Sequence, residues 1–162
     1  MAGIRLVVEL DNVVPEAVMS RLAGADFEPL LTIIGAVLES STRERIEETK
    51  TAPDGTRWAP NREGTSTLLR TGRHLRDSIA FIASASELDV GSSWEFAHIH
   101  QDGAVIKPKN AKRLSFVVGG HRVSAKQVTI PARPFVGVSK EDEAEILRVA
   151  TDYLRTLVGG AP

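Results

Sequence analysis

The sequence predicts an α+β fold: a small antiparallel sheet or half-barrel with a basic hairpin, packed on a long helix and a C-terminal helix. Three observations carry that reading. Leu30, Ile33, Ile34, Val37 and Leu38 keep the i, i+3, i+4, i+7 spacing of one helix face. Apolar and polar residues alternate from Arg113 to Val118, and a second run from His121 to Ile130 follows the pair Gly119-Gly120. Ile146, Val149, Ala150, Tyr153, Leu154 and Leu157 repeat the helical spacing near the C-terminus. At 162 residues, 42% hydrophobic and 25% charged, the chain has ordinary globular composition and the length of one domain. Its expected organisation is an N-terminal strand and short helix over 1–25, a long helix over 27–50, a sheet region over 78–138 and a terminal helix over 140–158.

Each element has a local cause. Ile4 to Leu10 holds five apolar residues interrupted by Arg5 and Glu9, as a strand would. Pro15 suits a first helical turn, with Ala17, Val18, Met19 and Leu22 on a short helix closing near Gly24. Asp26 is a natural cap for the long helix, and Pro29 comes early enough to be tolerated. Ile46 falls off the main apolar stripe, and the charged stretch Arg43 to Glu48 is expected to project beyond the core or meet a neighbour. Pro53-Asp54-Gly55 marks a turn, and a polar loop runs on to about Thr67. A short helical segment then carries Leu68, Leu69 and Leu75. Ile79, Phe81 and Ala83 alternate as a strand, followed by a short one over Leu88 to Val90. Trp94 to His100 reads as one or two helical turns closed by Gly103. In the second arm of the hairpin the apolar parity slips, which predicts a bulge near Lys126-Gln127. Pro131 and Pro134 hold their segment extended, and Ser139 caps the last helix, with Glu141, Asp142 and Glu143 favourable to its dipole.

Composition excludes several kinds of chemistry. Without cysteine there is no disulfide framework, thiol nucleophile or Cys-ligated metal. No stretch reaches the roughly 20 apolar residues of a membrane span, and Met1 to Asn12 does not read as a signal peptide. No Gly-x-Ser-x-Gly elbow or phosphate-cradling glycine loop occurs. His98 and His100 lie about 200° apart on a helix and cannot share an ion there. On a strand they would share a face with Asp102, but the expected reading is structural, with no metal and no cofactor. Glu44, Glu47 and Glu48 could serve acid–base work but suit pairing with nearby arginines on a wet helix face. No catalytic residue is assigned.

The charge is unevenly spread. Met1 to Asp102 carries ten Lys/Arg against sixteen Asp/Glu, and Lys140 to Pro162 three against five. Between them, Gly103 to Ser139 carries seven cations and no acid: Lys107, Lys109, Lys112, Arg113, Arg122, Lys126 and Arg133. Such a block suits an acidic surface on a neighbouring copy, the phosphates of nucleic acid, or plain solvent. Its one aromatic before the proline-rich end, Phe116, faces the core by alternation, so the stacking platforms of a single-strand binder are missing. Backbone contact with duplex DNA by residues 107–126 stays open, as does docking on protein. Trp58, inside a polar loop, is either pinned to the core or exposed for a partner. Arg133 is either a clamp for a sheet-end carboxylate or an interface anchor.

Taken in chain order, the unusual segments form a series: Pro53-Asp54-Gly55, Trp58, Leu69-Arg70-Thr71-Gly72, Leu75-Arg76-Asp77-Ser78-Ile79 and Val90-Gly91. Phe96-Ala97-His98-Ile99-His100-Gln101-Asp102-Gly103, Ile130-Pro131-Ala132-Arg133-Pro134-Phe135-Val136-Gly137 and the acidic helix start Glu141-Asp142 complete it. From about Phe27 to Leu157 the chain resembles the phage virion morphogenesis family, the tail completion proteins of Mu-like and related tailed phages. Phe96, where Tyr is expected, and Asn61, where an apolar residue is usual, depart from the pattern. The resemblance implies a non-enzymatic virion protein, made in the host cytoplasm, that completes the tail or neck as a ring, six copies matching a six-fold tail. Its partners would be itself and tail terminator, tail tube or head connector proteins, with non-specific DNA contact in the channel as a further option. Within it, Thr71, Gly72, His100, Gly103, Pro131, Arg133, Pro134 and Phe135 are structural. The basic block, facing Glu44, Glu47 and Glu48 of the next copy, would supply the head-to-tail interface of a ring.

Overall fold

A computed structural model describes residues 3–7, 16–69 and 74–159, with the side chains of 16–19 excepted. The expectations on Val8 to Leu10, Pro15, Ala17, Val18, Met19, Thr71 and Gly72 therefore lie outside the described residues. In chain order the elements are β1 (Gly3–Val7), α1 (Glu16–Ala23), α2 (Glu28–Glu44) with a π-helical turn (Arg45–Thr49), α3 (His74–Asp77), β2 (Ile79–Ala83) and β3 (Glu87–Ser92). Then come α4 (Ala97–Asp102), β4 (Ala104–Ile106), β5 (Leu114–Val118), β6 (His121–Ala125), β7 (Val128–Ile130) and α5 (Lys140–Gly159).

Small antiparallel sheets, one of the two forms expected, are what the chain builds. The largest has the order β1-β3-β2, while β4 pairs with β7 and β5 with β6. Because side chains alternate along a strand, the register that sets Ile4 opposite Val90 and Phe81 opposite Val90 puts apolar residues of all three strands on one face. That face packs on α2. Leu30, Leu31, Ile34, Leu38, Leu88, Val90 and Val149 form one buried cluster beneath it, sealed by α5. A second cluster joins Ile46, Ala52, Trp58, Leu75, Ile79, Ala97, Phe135 and Val136.

The helix face differs from the one expected. Ile33 is 47% exposed, while Leu31, Gly35, Thr42, Arg45 and Ile46 are buried. Gly35 explains the rotation: a Cβ there would lie 2.3 Å from the Phe81 ring, so the glycine marks where α2 meets β2 most closely. Having no side chain, it is invisible to a count of apolar positions. Ile46 consequently lies on the buried stripe rather than off it, and the far end of α2 does not project as a wholly solvated arm. The N-cap position falls to Phe27, which makes no side-chain cap bond, rather than to Asp26; from one residue earlier Asp26 still satisfies the Glu28 N–H through Oδ1 at 2.9 Å.

The parity slip near Lys126-Gln127 is a change of sheet, not a bulge. β6 ends at Ala125, and β7 resumes at Val128 against β4 instead of β5. Gly119 and Gly120 form the two-residue turn with φ of 57° and 82°, the positive values such a hairpin needs. Leu114, Phe116 and Val118 are only half-buried, and neither core cluster includes them. The hairpin is thus a ribbon outside the core, and Phe116 does not reach the interior.

Candidate functional site

Several segments that stood out in the sequence, those holding Trp58, His100-Gln101, Arg133 to Val136 and Asp142, converge on one internal knot. α4 is stitched to the 133–136 segment by backbone and by an amide. The Arg133 N–H donates to the His100 carbonyl at 2.7 Å. Gln101 Oε1 accepts from the Phe135 and Val136 N–H groups at 3.0 and 3.2 Å, and its Nε2 donates to the Val136 carbonyl at 3.1 Å. Gly103 makes the turn after α4 with φ of 75°, and a Cβ there would sit 2.7 Å from the Ala132 nitrogen. Conformation and space both require glycine. Trp58 is 8% exposed and donates from Nε1 to the Pro134 carbonyl at 3.0 Å. It is pinned to the core, and the partner-facing reading does not hold. Phe135 is fully buried beside it.

Arg133 is a clamp, but not for a carboxylate. It is 7% exposed and donates to the Ala59 and Pro60 carbonyls at 3.0 and 3.3 Å, tying the polar loop to the proline-flanked segment. His100 stacks on Trp94 with ring centroids 5.6 Å apart, and its buried Nδ1 has no partner among the described residues. Burial, and then the nearby Arg133 cation, hold its pKa below the ordinary imidazole value of 6.5. His98 is exposed on the same helix, and no group of three metal-ligating side chains comes together among the described residues.

Sequence reasoning missed the deepest polar contact. Arg45 and Asp142 are buried and meet at 3.1 Å. The guanidinium also donates to the Phe135 carbonyl at 2.7 Å and the Ser41 hydroxyl at 3.1 Å, while Asp142 Oδ2 accepts from the Ser139 N–H at 2.8 Å. Ser139 Oγ accepts in return from the Asp142 N–H at 3.2 Å. This reciprocal cap links α2, the 133–136 segment and α5. Two signals pointed to it: Arg45 lies seven residues past the core residue Leu38, and Asp142 three past Ser139.

Of the predicted interface residues, the cations stand outside this knot. Lys107, Lys109, Lys112, Arg113, Arg122 and Lys126 are all exposed. Arg113 reaches across the ribbon to the Ser124 Oγ and carbonyl at 2.9 and 3.0 Å. Glu63 accepts from the Gly119 N–H at 2.8 Å, holding the ribbon tip against the polar loop. Between them lies a cavity of about 460 Å³ lined by Phe116, Val118, Val128 and Ile130 among others. The acidic end of α2 lines a different cleft, of about 540 Å³. There Glu39 pairs with Arg43 at 2.6 Å and Glu47 with Arg76 at 2.8 Å, while Glu44 and Glu48 are exposed and make no ion pair among the described residues. The chain does not bring the basic block onto its own acidic helix end with a salt bridge between described residues.

The phage virion morphogenesis family model matches residues 8–155. The chain belongs to that family. Among individual proteins, it is 28% identical over 142 residues to "Mu-like prophage FluMu G protein 2" of Haemophilus influenzae, covering 86% of this chain and 88% of the relative. It is 32% identical over 118 residues to "Tail completion protein S" of Escherichia phage P2, covering 72% and 77% respectively. No solved structure matches. The matched span contains both the internal knot and the basic ribbon, so this virion morphogenesis protein shares with its family the stretch in which core and surface are both built. No helix among the described residues is long and apolar enough to cross a membrane.

Proposed function

We propose that this virion morphogenesis protein completes the phage tail or neck so that head and tail can join, working as a ring at that junction and without catalysis. The carrying observation is the ribbon Leu114–Ala125 with its flanking lysines: a cationic surface lying outside both core clusters, in a chain similar to a tail completion protein. A surface of this kind does no evident work for the fold and is suited to an acidic partner. The candidate interface residues are Lys107, Lys109, Lys112, Arg113, Arg122 and Lys126 on one side and Glu44, Glu47 and Glu48 on the other. Neighbours in the particle would be further copies, six of them to match a six-fold tail, together with tail terminator, tail tube or head connector proteins.

The test is genetic and structural. Deleting the gene from the phage or prophage that carries it should leave filled heads and tails unjoined in the lysate, and purified protein added to that lysate should restore infectious particles. Joined, infectious particles without the protein would overturn the reading. Electron microscopy of the restored particles locates the protein and counts its copies. Steep, salt-sensitive retention of duplex DNA by a chain that ignores tails would instead favour a nucleic-acid accessory acting through residues 107–126.

A further inference from the structure

The structure leaves two surfaces bare that fit one another. On the ribbon, the register sets Ser115 opposite Ser124 and Val117 opposite Arg122, and all four are exposed, so they share the face turned to solvent. Val117, at its middle, is 55% exposed. Arg113 folds over the same face onto the Ser124 hydroxyl, and neither Arg113 nor Arg122 makes an ion pair among the described residues. A two-stranded ribbon is marginal when it stands alone in water, and this one has no other strand beside it among the described residues. On α2, the residues opposite the core are Ile33, Ala36, Ser40, Glu44 and, in the π-helical turn, Glu48, all exposed and three or four positions apart. That stripe is apolar and small at one end and acidic at the other. Its neighbours Glu39 and Glu47 are neutralised by Arg43 and Arg76; Glu44 and Glu48 are not.

We propose that the outer ribbon face of one copy packs on the α2 stripe of a second copy, Val117 covering Ile33 and Ala36 while Arg113 and Arg122 meet Glu44 and Glu48. The contact joins unlike patches, so each copy has one of each to offer and association continues head to tail until it closes. A polyanion such as DNA would satisfy the arginines but leave Val117 in water, and the face has no exposed aromatic on which a base could stack. The inference rests on the assembly reading above and names the partner of the basic surface.

The test uses the full-length protein in sedimentation experiments over a concentration series at low and physiological salt. The wild-type chain should associate with rising concentration, less so with salt. Arg113→Glu with Arg122→Glu, and separately Glu44→Lys with Glu48→Lys, should each weaken association about tenfold or more. Mixing the two variants should restore it, because each then carries the complement of the other's altered patch. A wild-type chain that stays monomeric throughout overturns the proposal, as does a variant that associates like wild type or a mixture of folded variants that stays apart. Should a charge reversal fail to fold by circular dichroism, Val117→Asp and Ile33→Asp repeat the test, and unchanged association in both overturns it. Particle yield separates this contact from the tail role. Lost association with normal infectivity removes the role and leaves the contact standing; lost infectivity with normal association does the reverse.

Discussion

The knot around Phe135 and the ribbon around Val117, whose last strand ends at Ala125, eight residues before Arg133, follow opposite rules. In the knot almost every polar group is spent inward. Gln101 serves three backbone groups of residues 135–136, Arg133 two loop carbonyls, and Arg45 a carbonyl, a hydroxyl and a carboxylate. In the ribbon the cations point to solvent and only Arg113 is held, by Ser124. Most of the described motifs that look distinctive therefore build the frame, whereas the unremarkable Lys- and Arg-bearing stretch lies exposed outside it. Distinctive residues in this chain report what cannot be moved without loss of structure. They do not by themselves mark where it binds.

Substitutions can break that contrast, and the largest effect should come from the knot. Arg45→Ala leaves Asp142 as a buried carboxylate without its cation, and loss of one partner of a buried pair costs about 3–5 kcal/mol. Chemical denaturation should show that loss, and a change below about 1 kcal/mol would mean the pair does not hold the frame. Gly103→Ala comes next. Its new Cβ would meet the Ala132 nitrogen at 2.7 Å in a backbone with φ of 75°, so strain and overpacking together should cost about 1–3 kcal/mol. The same change at Gly55, also at positive φ but with nothing within 4 Å, should cost less, and the difference between the two melting temperatures isolates the close approach.

Much of the fold was legible because it follows from periodicity and turn chemistry. The terminal helix, the hairpin at Gly119-Gly120 and the turn at Gly103 all rest on local rules, and all appear. What was not legible depended on partners distant in sequence. Arg45 reads as one more charge in a polar stretch until Asp142, ninety-seven residues on, supplies its counterion. Gly35 has no side chain to count, yet it turns α2 by admitting Phe81, which buries Ile46 and exposes Ile33. The break after Ala125 looked like a bulge because a parity slip cannot say which strand the chain pairs with next. As for the surface, the acid-free block from Gly103 to Ser139 was plain in composition, but Arg133 could be removed from it, and Trp58 from the partner-facing candidates, only by seeing where their donors go.

A smaller effect links the knot to pH. His100 is held neutral by burial and by the Arg133 charge, so its folded pKa lies below the 6.5 of a free imidazole. The unfolded chain then binds the proton first as pH falls, and stability declines once pH drops through about 6.5 until the folded state also protonates. Above that value the group is neutral in both states and contributes no dependence. His100→Gln should flatten this part of the stability–pH curve. Equal curves for His100→Gln and wild type would mean that another group sets the acid limb.

The smallest effect on stability should come from the ribbon, and that is where the contrast is sharpest. Arg122 is exposed, has no ion pair among the described residues and sits opposite the equally exposed Val117. Arg122→Ala should change unfolding free energy by no more than about 0.5 kcal/mol, the ordinary range for surface positions without a special contact. If it instead melts the protein as Arg45→Ala does, the ribbon belongs to the frame and cannot be a surface kept for partners. A neutral result has the opposite force. It leaves the exposed Arg122 with no folding role that stability can detect, and any loss of assembly caused by reversing it must then arise at a contact between molecules.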